Sequence, residues 1–97
     1  MIYIQYLVRP TALNDQFGSV GGAYCSCYLN IDDPARAEAI AIGIIACSHW
    51  QVVHCEEIRT LDRSECTGEY AAQALTDDEV IVFDTWPTEE VDDETDD

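Results

Sequence analysis

The sequence predicts a small α+β domain. It would hold a four-stranded, mostly antiparallel sheet in the order strand, strand, helix, strand, helix, strand, with both helices on one face. Three observations lead there. Residues 2–8, 23–31, 51–58 and 79–86 are rich in β-branched and aromatic residues and are bounded by turn residues or proline. Residues 34–48 carry an apolar period of 3.6, and residues 65–75 carry a weaker one. The chain has 97 residues, of which 47% are hydrophobic and 9% aromatic, enough for one modest core. Residues 1–87 are expected to form that single domain, and residues 88–97 a disordered acidic tail.

In the first strand, residues 2–8, Ile2, Ile4, Tyr6 and Val8 share one face, and Tyr3, Gln5, Leu7 and Arg9 the other. Pro10 ends it, because proline cannot donate to a ladder. Residues 11–22 form a long connection with Asn14, Asp15, Gly18, Gly21 and Gly22, and a loop of that length is often a working loop. Its glycines resemble a phosphate-cradling loop in composition alone. They precede a strand where a phosphate loop precedes a helix, and no Lys is present, so they read as a flexible loop or a bulge. The second strand, residues 23–31, sets Ala23, Cys25, Cys27, Leu29 and Ile31 on one face and Tyr24, Ser26, Tyr28 and Asn30 on the other. It is expected to pair with the first as a wide antiparallel hairpin.

Asp33 then suits an N-cap and Pro34 the first helical position. The helix should run to about Ser48, burying Ala37, Ile40, Ala41, Ile44 and Ile45, with Ala39, Ile42 and Ala46 broadening that stripe. Its exposed strip, mainly Arg36, Glu38 and Gly43, is narrow enough to imply cover on a second side. A third strand follows over residues 51–58, and a turn with capping potential over 62–64. The second helix, residues 65–75, has Tyr70, Ala71, Ala74 and Leu75 as its apolar side, and Gly68 weakens its first turn. The fourth strand, residues 79–86, stops at Pro87. Trp50 and Trp86 each end an element and read as anchors at the rim of the core. This order suggests a ferredoxin-like variant.

Charge excludes more than it assigns. There are 20 Asp and Glu against 4 Arg, with no Lys, a formal net charge of -16. Seven of the acids lie in residues 88–97; the remaining 13 still outweigh 4 Arg, leaving -9. Such a surface repels phosphate backbones and anionic membranes, so direct nucleic-acid or membrane binding is not expected. A basic protein partner is favoured by complementary potential. Solubility or adaptation to high salt would give the same composition. Five cysteines, an odd number, with no basic-then-apolar leader, point to a reducing, cytoplasmic setting.

Two constellations bear on chemistry. Cys25 and Cys27 point to one side of a strand, and with His54 or Cys55 on a neighbouring strand they offer a zinc site. Their apolar neighbours make them core thiols instead. Cys47, His49, His54 and Cys55 offer a Cys–His pair, with Glu56, Glu57 or Asp84 to orient the base. Nearby carboxylates raise a thiol pKa and oppose that use. We therefore assign no catalytic, metal or cofactor residue and expect no enzyme.

Tyr3, Tyr24 and Tyr28 alternate correctly to line one sheet face. With the helices on the Cys25 and Cys27 side, that face would look outward as a partner-binding surface, steered by Glu56, Glu57 and Asp62. The expected function is a small acidic binding protein that inhibits or chaperones a basic partner, as immunity proteins and nucleic-acid mimics do. The alternative is a homodimer through the sheet that binds a small molecule or has minor enzymatic activity.

Overall fold

The computed structural model describes residues 1–87; the tail expected over residues 88–97 lies outside the described residues. The chain opens with β1 (Ile2–Pro10) and β2 (Val20–Leu29), an antiparallel pair with Ile2 opposite Leu29, Tyr6 opposite Cys25 and Val8 opposite Ala23. In the connection between them, Gly18 has φ +94, a conformation that favours glycine.

Asp33 caps α1 (Pro34–Cys47), its carboxylate accepting from the N–H groups of Ala35 at 3.1 Å and Arg36 at 3.4 Å. Beyond the helix, the His49 carbonyl accepts from the Thr11 N–H, the Thr11 hydroxyl and the Asn14 side-chain amide, tying the long connection to the helix end. β3 (Trp50–Thr60) returns antiparallel beside β1, so α1 carries the chain from one neighbour of β1 to the other. A 3-10 turn, Arg63–Glu65, follows, and the Glu65 carboxylate accepts from the Asp62 N–H at 2.9 Å. Then come α2 (Glu69–Asp77) and β4 (Glu79–Pro87), which pairs antiparallel with β2. The sheet order is β3-β1-β2-β4. No described helix is long and apolar enough to cross a membrane.

The α+β class, the four antiparallel strands and the two helices stand as expected, but the placement of the helices does not. Ala37, Ala41 and Ile45 of α1 pack on Ile2, Ile4, Tyr6 and Val8, together with Cys25, Cys27 and Leu29. Ala71 and Ala74 of α2 join Met1, Tyr3, Leu61 and Cys66, with Tyr28 and Val80 against them. Ile2 and Tyr3 point to opposite sides of one strand, so the helices lie on opposite faces of the sheet. The ferredoxin-like arrangement, with both helices on one face, is not formed. The physical reason lies at one end of the sheet, where both faces are apolar: Met1 and Tyr3 alternate with Ile2 and Ile4, and Val80 and Val82 with Ile81 and Phe83. A sheet apolar on both sides needs a layer on each.

α1 also lacks its expected second cover. Ile42 is 43% exposed, and Ala39 and Ala46 are exposed with it, so its buried stripe narrows to Ala37, Ala41 and Ile45. The second helix begins later than the sequence suggests, because Gly68 is its N-cap and not an interior residue.

Candidate functional site

The face under α1 is closed around its thiols. Cys25 and Cys27 are fully buried, with their sulfurs 3.8 Å apart. The contact with Cys25, together with burial, drives the Cys27 thiol far above the usual thiol range. Among the described residues, no group of three or more His, Cys, Asp or Glu is arranged to hold a metal ion. His54 pairs across from Leu7 and Cys55 from Tyr6, so these consecutive residues point to opposite faces and form no dyad. Burial and Glu38 both push the Cys55 thiol up, away from a reactive thiolate.

The other face is half open, and its layout follows from strand register. At one end Arg59, Tyr3, Tyr28 and Val80 lie side by side across the four strands. The next row is Glu57, Gln5, Ser26 and Val82, and the next is His54, Leu7, Tyr24 and Asp84. α2 covers the Tyr3, Tyr28 and Val80 part of the first row and leaves Arg59 exposed. There Tyr3 is 9% exposed, its ring 5.0 Å from that of Tyr28 and 5.2 Å below the Arg59 guanidinium. Its hydroxyl lies 3.5 Å from the Ser26 hydroxyl. Tyr28 is half-buried against Tyr70 of α2, and burial raises its phenol pKa. These two tyrosines form the underside of the α2 layer and do not face solvent as the sequence reading expects.

Beyond α2 the face is left uncovered by the described residues. Tyr24 is 41% exposed and Trp86 is 36% exposed, with ring centroids 5.2 Å apart. The indole lies over Gly22: a Cβ there would fall 2.6 Å from Trp86 Cζ2. The bare glycine backbone is thus the seat of the indole, and Asp84 stands directly across from Tyr24. This aromatic pair on a glycine shelf, bordered by a carboxylate, is the most developed surface feature of the described residues.

No protein family, curated protein or solved structure matches this chain. The functional reading therefore rests on this geometry and on charge.

The acidic residues singled out from the sequence scatter. Glu57 lies on the open face, one row from Tyr24, and its carboxylate is 2.9 Å from Arg59 Nε. Glu56 is the extra residue at a β3 bulge, its carboxylate 3.8 Å from His54 Nε2. Asp62 lies past the opposite end of the sheet, beside a recess of about 400 Å³ lined by Met1, Asn30, Arg63 and Leu75. It does not join the aromatic pair. Sequence reasoning gives Asp84 no part in partner binding and reads Trp86 as an anchor at the rim of the core. The signal for both was parity, since Val80, Val82, Asp84 and Trp86 fall on one face, opposite a strand containing Gly21 and Gly22.

Proposed function

We propose that this protein is an acidic binding module that takes up a basic protein partner on the part of the sheet face left open by α2. Tyr24 and Trp86 are its anchors. The observation that carries this reading is the exposed Tyr24–Trp86 pair seated on Gly22 beside Asp84, on a chain of net charge -16. Paired aromatics supply large, rigid contact area, and desolvating them slows dissociation. The carboxylates contribute mainly to encounter rate, which falls as salt screens them. The cations of this face in the described residues are Arg59, held by Glu57, and Arg9 at its far end, so they do little to cancel the field. Inhibition or chaperoning of a basic target would follow from simple occlusion of its surface.

The test is capture from lysate at low and high salt, comparing wild type, the Tyr24→Ala/Trp86→Ala double variant and Tyr70→Ala as a control on α2. Captured proteins should be basic, be released by salt and bind the double variant about a hundredfold more weakly, as loss of two aromatic anchors implies. The control should bind like wild type. A purified protein that is a tight dimer burying Tyr24 and Trp86 would overturn the proposal in favour of a subunit interface.

A further inference from the structure

The sheet ends in two unlike edges. β3 shifts register against β1 at two points, between Gln5 and Tyr6 and between Leu7 and Val8, and carries His54, Glu56, Glu57 and Arg59. Bulges and charges are what proteins use to prevent further strand pairing. β4 lacks both over its centre. Among the described residues it has a neighbour on one side, β2, and their register runs unbroken from Gly22–Trp86 to Leu29–Glu79. Val80, Ile81, Val82 and Phe83 are four uncharged residues in succession, all partly exposed. Among the described residues, a row of backbone N–H and C=O groups about 13 Å long thus stands unpaired beside apolar side chains. Asp77, Asp78 and Glu79 flank it on one side, and Asp84 on the other.

We infer that the basic partner docks here by strand addition. An extended segment, apolar at its centre and carrying Arg or Lys at both ends, pairs main chain to main chain along β4. This rests on the binding reading given above and specifies how that binding occurs. Added side chains of one parity would extend the row of Val80, Val82, Asp84 and Trp86 and so meet the aromatic pair. Charge decides the occupant. A second copy, paired antiparallel about Ile81, would set Asp78 of each copy against Asp84 of the other. Like charges directly opposite destabilise a sheet, and each chain brings -16. Basic ends on a partner strand reverse the sign of every one of these contacts.

The experiment titrates the full chain with a synthetic peptide, Arg-Arg-Thr-Val-Thr-Val-Thr-Val-Arg-Arg, at low salt. It then repeats the titration with the same peptide methylated on its four central amide nitrogens, which keeps charge and side chains but removes main-chain donors. The parent peptide should bind roughly tenfold or more tightly than the methylated one, as the loss of a few main-chain hydrogen bonds implies. Alternate amides within residues 79–86 should gain hydrogen-exchange protection. The change is made in the peptide, so folding of the protein is not in question. Equal binding of the two peptides, without new protection in β4, overturns strand addition and leaves the basic-partner reading standing. Binding of neither peptide overturns both. A free protein that is already dimeric, with β4 amides protected before any peptide is added, overturns the inference in favour of a second copy.

Discussion

The two faces of the sheet come from the same four strands, yet one is a core along its whole length and the other for about half of it. Under α1 the buried residues lie in unbroken succession, from Ile2 to Val8 on β1 and from Ala23 to Leu29 on β2. Under α2 the cluster is smaller and confined to the end near Met1, Tyr3 and Leu61. The difference follows from helix size. α1 has 14 residues and runs along its face, whereas α2 has 9 and covers one end. The long helix covers its face, and the short one leaves part of the other uncovered among the described residues.

That contrast is most open to attack through the same deletion made on both helices. Ile45 is fully buried and Leu75 is half-buried. Ile45→Ala should cost about 2–5 kcal/mol, the usual range for a filled core site. Leu75→Ala should cost about 1–2 kcal/mol, because less apolar area leaves water. Denaturant midpoints at constant slope measure both. Equal losses would mean that the α2 layer is as integral to the fold as the α1 layer.

How well each face could be read from the sequence follows the same division. The α1 side announces itself by period-two alternation in residues 2–8 and 23–29, by the Asp33-Pro34 start and by the spacing of Ala37, Ala41 and Ile45. The helix boundaries and strand pairing follow closely. The α2 side was misread because alternation is a one-face signal. Where Met1 to Ile4 and Val80 to Phe83 are apolar at every position, the pattern shows burial but not how many layers supply it. The tyrosines suffered from the same ambiguity. Tyr3, Tyr24 and Tyr28 share a face, but no local rule shows that a helix beginning at Glu69 ends up over Tyr3 and Tyr28 and stops short of Tyr24. Trp86 was hidden for a different reason, since its seat on Gly22 depends on the register between distant strands.

The better-built face carries one flaw, and correcting it sharpens the comparison. Tyr6 is 1% exposed, and its hydroxyl has no hydrogen-bond partner among the described residues. Burial, reinforced by Glu38, holds its phenol well above the usual tyrosine range. Tyr6→Phe should raise stability at neutral pH by about 1–2 kcal/mol, because it removes an unsatisfied buried polar group. The sign of the pH effect follows from the raised pKa. Above roughly pH 10 the unfolded phenol loses its proton while the folded one keeps it, so wild-type stability falls as pH rises. The variant should lose less stability between about pH 9 and pH 11, measured by denaturant midpoints across that range. A destabilised variant with an unchanged alkaline slope would show that the hydroxyl is satisfied in solution.

The smallest effect expected is removal of residues 88–97. Seven of these ten residues are acidic, and Val91 is the one large apolar side chain among them. Ten residues so composed have little to bury against either face, while their charge adds to the repulsion within an already acidic chain. A chain ending at Pro87 should therefore match the full chain within about 1 kcal/mol at moderate salt. Any difference should be a gain that grows as salt is lowered, because screening weakens repulsion between exposed charges. A loss of more than about 1 kcal/mol would mean that these residues dock on the domain. Hydrogen exchange of β4 in the two chains would then show where. If β4 amides are protected in the full chain and released by the truncation, the open edge is occupied by the protein's own acidic end and not held ready for a basic partner.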